Sequence, residues 1–71
     1  MKLTLILDPA ASGVRASLVE EWDEPGAVIR MEPITRHFDS DDDAVAWGRS
    51  WARRRGLAQM FLTDNRRSGE R

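Results

Sequence analysis

Ser40-Asp41-Asp42-Asp43-Ala44-Val45-Ala46-Trp47-Gly48-Arg49-Ser50-Trp51-Ala52-Arg53-Arg54-Arg55-Gly56 is the stretch where the hydrophobic period changes from two to about 3.6. On a helical wheel Ala44, Val45, Gly48, Trp51 and Ala52 share one face, Arg49 and Arg53 point away, and Trp47 falls on the border. Ser40 and Asp43 have the form of a capping box, with Asp39 as a competing cap, and Gly56 stands just past the expected end. The acids at the start and Arg53, Arg54 and Arg55 at the end each complement the helix dipole by about 0.3–1 kcal/mol. The spacing predicts a helix.

Everything upstream alternates. Leu3, Leu5 and Leu7 share one face of a first strand, which ends at the turn Asp8-Pro9-Ala10-Ala11-Ser12-Gly13. Val14, Ala16, Leu18 and Trp22 do the same in a second strand that runs into Asp23-Glu24-Pro25-Gly26, a turn with proline before glycine. These two strands and the first turn read as an antiparallel hairpin. Ala27 to Glu32 reads as a third strand, halted or bulged at Pro33, which cannot donate to a ladder, with Ile34 to Phe38 as a resumption. Downstream of the helix, Leu57 to Thr63 reads as a last strand, with Ala58, Met60 and Leu62 on one face.

The order predicts an α+β fold, β-β-β-α-β, with an antiparallel sheet of three to five strands and one helix packed on one face. Residues 1–64 form the expected domain and 65–71 a polar, frayed tail. Leu3, Leu5, Leu7, Leu18, Ile29 and Met60 are expected under the helix. Ile6, Val19, Val28 and Phe61 then fall on the uncovered face, one from each of four strands. They form either a homodimer or partner surface or an ordinary half-exposed sheet.

At 71 residues the chain has room for one domain. Hydrophobic residues at 41% and charged residues at 32% place it among globular proteins. Cysteine is absent, which excludes disulfides, thiolate nucleophiles and zinc knuckles. The longest apolar run is Leu5-Ile6-Leu7, so neither a membrane span nor a signal-peptide core is read, and a cytoplasmic location in a bacterial host is expected. The net charge of -1 hides a division: residues 1–43 carry four positive side chains against ten acids, and residues 44–71 carry seven arginines against two acids. The halves are -6 and +5.

No catalytic, cofactor or metal site is read. An EF-hand loop beginning at Asp39 would need glycine at its sixth position and glutamate at its twelfth, where Ala44 and Ser50 stand. His37 with Asp39 or Glu32 is the one acid–base pairing on offer, and an exposed residue at a strand end accounts for it as well. Arg49, Arg53 and Arg54, with the tail arginines, suit carboxylates or phosphates equally, or merely a solvated helix face. Asp41, Asp42 and Asp43, with Glu20 and Glu21, form the acidic counterpart. They are solubilising charge, or a surface that imitates phosphates. A protein with patches of both signs suits this segregated charge better than a polyanion does.

Phe38-Asp39-Ser40, Ala44-Val45, Trp51-Ala52-Arg53, Gly56-Leu57 and Met60-Phe61-Leu62 give residues 37–64 a pattern that resembles a family of short bacterial β-β-β-α-β proteins of unknown function. That resemblance implies fold alone. In size, lack of cysteine, divided charge and plan the chain also resembles small anti-CRISPR proteins of phages and mobile elements. This implies a non-enzymatic inhibitor that binds a CRISPR effector complex and blocks its access to DNA. A homodimerising bacterial domain and a small nucleic-acid binder using Arg49, Arg53, Arg54 and the tail are the alternatives.

Overall fold

A computed structural model describes residues 1–67. It contains β1 (Lys2–Pro9), β2 (Val14–Glu24), β3 (Ala27–Arg30), β4 (Ile34–Phe38), α1 (Asp41–Arg54) and β5 (Phe61–Asp64), followed by a 3-10 turn over Asn65–Arg67. The β-β-β-α-β plan is present, with the third strand in two pieces. Five strands form one mixed sheet in the order β3-β2-β1-β5, and β4 also pairs with β2. Three of the pairings are antiparallel, but β5 runs parallel to β1, with Leu5 opposite Leu62 and Leu7 opposite Asp64. A parallel neighbour requires a crossover, and α1 supplies it.

β2 is long enough to hold two partners on the same edge. Its first half pairs with β4, from Val14 opposite Phe38 to Leu18 opposite Ile34, and its second half pairs with β3, from Glu21 opposite Arg30 to Glu24 opposite Ala27. Between the two pieces the Met31 amide still donates to the Glu20 carbonyl at 2.9 Å before Pro33 interrupts the ladder. The break at Pro33 therefore divides one edge into two strands.

Alternation places Leu3, Leu5 and Leu7 of β1 and Val14, Ala16 and Leu18 of β2 on the helix side, and all six are buried with Ala44 and Ala52 of α1. Ser40 caps α1, its Oγ accepting from the Asp43 amide at 3.2 Å, and Gly56 follows the C-cap residue Arg55. Only small side chains, Ala44, Gly48 and Ala52, are fully buried on the helix, so its backbone lies close to the sheet.

Gly48 sets that approach. A β-carbon there would lie 2.6 Å from Met60 Sδ and 3.3 Å from Leu5 Cδ2. Met60 is unbranched and can swing aside, and alanine gains about 1 kcal/mol of helix propensity over glycine. Gly48→Ala is therefore expected to change stability by less than about 1 kcal/mol, read as a small shift of the urea midpoint.

Several expectations are corrected in detail. β5 begins only at Phe61. Leu57–Met60 alternates like a strand, but these residues carry the chain from the helix end to the edge of β1, starting with a 2.9 Å bond from the Leu57 amide to the Ala52 carbonyl. Ile29 faces the helix side yet is 47% exposed, because it lies beyond the end of α1. The expected tail starts instead with an ordered turn over Asn65–Arg67, and its remainder lies outside the described residues.

Candidate interaction surface along α1 and β5

The two flanks of α1 are filled differently. On the β4 side an aromatic ladder occupies the wedge: Phe38 and Trp47 have ring centroids 5.2 Å apart, and Trp47 and Trp51 are 6.4 Å apart at a steep angle. Arg36 lies over Phe38 and Trp47, and Arg54 and Arg55 lie over Trp51, at 5.3–5.8 Å. On the β5 side nothing comparable fills the gap. A groove of about 470 Å³ remains there, lined by Val45, Arg49, Arg53, Ala58, Met60 and Leu62 among others.

This groove runs beside a sheet edge. Among the described residues β5 has one strand neighbour, β1, so its other side, along Phe61, Leu62 and Thr63, is an open sheet edge. Leu62 on that strand is 55% exposed although it shares a cross-strand row with the buried Leu5. Arg49 and Arg53 stand one turn apart on the groove wall, and neither meets a carboxylate within 4.0 Å among the described residues. Two like charges at this spacing cost the helix about 0.2–0.5 kcal/mol. Asp42 lines the adjoining surface with Val45, Ala46, Arg49 and Arg53, so the site carries both signs.

The remaining sequence candidates are distributed elsewhere. Arg54 belongs to the opposite flank, stacked on Trp51. Glu20 is only 8% exposed: its Oε2 accepts from Trp51 Nε1 at 2.6 Å and from Arg55 Nε at 3.0 Å, which makes it an internal tie between β2 and the helix end. Glu21 lies on the open face between Lys2 and Arg30, at 4.0 and 3.7 Å. Asp41 holds Arg66 through two bonds of 2.8 and 2.9 Å, and Asp64 holds the same guanidinium at 2.9 Å. The hydrogen bonds that Arg66 donates to Asp64 first, then to Asp41, keep its pKa above its ordinary value. Asn65 Nδ2 donates to Asp8 at 2.9 Å, so the turn after β5 is tied to both α1 and β1. Asp43 stands exposed in the first turn of α1.

Ile6, Val19, Val28 and Phe61 do share the face away from the helix, as alternation required. They do not form one patch. Val19 is 1% exposed, and the exposed Phe61 and Val28 sit on opposite edges with the Lys2, Glu21 and Arg30 charges between them. Lys2 also lies over the Phe61 ring at 4.9 Å.

Val45, Met60 and Leu62 are the groove residues that the sequence reading left out. Their signal was visible: a wheel edge, and two apolar residues of one face following Gly56.

Fold and surface together define a small mixed α+β domain with a basic, apolar-floored groove beside an open strand edge. No helix among the described residues is long and apolar enough to cross a membrane. Compared with known protein families, curated proteins and solved structures, the chain matches none.

Proposed function

We propose that the protein is a non-enzymatic protein-binding module that takes an extended, acidic segment of a partner into the α1–β5 groove. The observation that carries this reading is the pairing of Arg49 and Arg53, both without carboxylate partners among the described residues, with the apolar floor of Met60 and Leu62 at the edge of β5. A strand added to β5 would draw main-chain hydrogen bonds from the edge and turn one row of its side chains, apolar and acidic in turn, toward the floor and the guanidinium groups. Asp42 beside the same wall favours a protein segment over a polyanion. A CRISPR effector complex is the specific partner implied by the resemblance in size and charge, and inhibition by occupying its DNA-access surface would be the consequence.

The test is a titration of the 15N-labelled protein with a peptide of repeated Val-Thr-Glu-Thr, whose valines and glutamates share one face of a strand, beside its glutamine counterpart and a DNA duplex. The acidic peptide is expected to shift β5, Arg49 and Arg53 resonances, and Arg49→Glu with Arg53→Glu to weaken binding tenfold or more. Purified CRISPR effector complexes are then tested for capture by the wild type and by the same variant. Equal binding by the charge-reversed protein ends the groove reading. Tighter, steeply salt-dependent binding of the duplex transfers the arginines to nucleic acid.

A further inference from the structure

We infer that the β2–β3 arm pairs with the same arm of a second copy, edge to edge through β3, independently of the groove along α1. All four residues of β3 are exposed, and no strand covers its outer side among the described residues. The strand carries no lysine or proline, and its one charge is Arg30 at its end.

The β2–β3 register limits how two copies meet, and an axis at Ile29 pairs both outward residues of β3. The Met31 amide donates inward to Glu20, so by antiparallel alternation Ile29 and Ala27 also bond inward, and Val28 and Arg30 turn their peptide groups outward. A two-fold axis normal to the sheet at Ile29 places Val28 of one copy opposite Arg30 of the other, twice, with each outward group meeting one of opposite kind. Both helices then lie on the same side of a continuous sheet.

Side chains agree with this register on both faces. On the helix side, Trp22 is opposite Ile29 and the two are 39% and 47% exposed, with Met31 at 50%. The axis joins them into one row, Trp22–Ile29–Ile29–Trp22, and closes apolar surface that a helix of 14 residues does not reach. On the other side Asp23 is opposite Val28, and Asp23 has no ion pair among the described residues. Arg30 of the second copy then stands two strand spacings from Asp23, about 10 Å between backbones, which an arginine and an aspartate side chain span together. Arg30 lies 3.7 Å from Glu21 of its own copy, so each guanidinium then stands between that carboxylate and Asp23 of the other copy.

An interface of this size lies near the lower limit for specific association, about 1,000 Å² or less, so the dimer is expected to be weak. Sedimentation equilibrium from about 10 μM to about 1 mM is the measurement. The wild-type mass should rise toward two chains. Val28→Pro, which removes only an outward amide, should hold the single-chain mass while the circular dichroism of the fold persists. Arg30→Asp and Asp23→Arg should each weaken association by up to about tenfold, and the double exchange should restore it. The charge series decides the matter if the proline variant does not fold. A single-chain mass throughout, a dimer untouched by Val28→Pro, or an exchange without restoration overturns the pairing.

Discussion

Gly13→Ala is expected to destabilise the protein by about 3 kcal/mol or more, against a total of roughly 4–11 kcal/mol for a domain of this length. Gly13 closes the turn between β1 and β2 with φ of +68°, in the region where a side chain costs about 1–2 kcal/mol. The larger part is steric. A β-carbon there would stand 2.2 Å from the Phe38 carbonyl oxygen and 3.2 Å from the Asp39 α-carbon, both backbone atoms. No rotamer change relieves that contact, so the turn must withdraw from the end of β4. Withdrawal also breaks the hydrogen bond between His37 Nε2 and the Ser12 carbonyl. Gly26→Ala is the control: φ is +84°, but nothing lies within 4 Å of the added carbon, and a cost of about 1 kcal/mol is expected. Urea unfolding of the two variants separates the contact from the backbone conformation. Equal losses would show that the Gly13 contact carries no energy of its own.

His37 thereby acquires a structural reading. It ties β4 to the β1–β2 turn rather than pairing with Asp39 or Glu32. That tie was invisible in the sequence because it joins residues 25 positions apart. What was visible is local. The Ser40 cap, the helix face and Gly56 are signals within one segment, and the shared face of Ile6, Val19, Val28 and Phe61 follows from parity along each strand. The doubled edge of β2 is a matter of register between segments, and it was not legible. Nor was the reach of α1. Parity put Trp22 and Ile29 on the helix side, but 14 helical residues extend about 21 Å, whereas the 11 residues of β2 extend about 36 Å. The outer end of the hairpin is therefore left uncovered.

The charge division is the clearest case of a sequence feature that folding rearranges. Halves of -6 and +5 suggest two poles, yet Arg55 is drawn onto Glu20 and Arg66 onto Asp41, each pair crossing the division. Those charges are absorbed into the fold. Arg49 and Arg53 are left with no such partner among the described residues, on the flank where the wedge is open. The interface reading thus contracts from the Arg49, Arg53 and Arg54 cluster and its acidic counterpart to two guanidinium groups and the apolar floor beside them.

Leu5 and Leu62 make the floor testable. They are opposite one another in the β1–β5 ladder and face the same side of the sheet, yet Leu5 is 0% exposed and Leu62 is 55% exposed. Leu5→Ala opens a cavity beneath Gly48, beside Met60. A loss of about 2–5 kcal/mol is expected, a large share of the total stability and a clear fall in the urea midpoint. Leu62→Ala removes a side chain that is already half in water and should cost about 1 kcal/mol or less. If the exposed leucine exists to meet a partner, the same variant should weaken binding of the Val-Thr-Glu-Thr peptide about tenfold with its urea midpoint nearly unchanged. Structure and function then separate along one cross-strand row. A Leu62→Ala protein that unfolds as readily as Leu5→Ala would make Leu62 an ordinary core residue and remove the floor from the proposed site. A stable variant with full affinity would remove Leu62 from the site and leave the binding to Arg49 and Arg53.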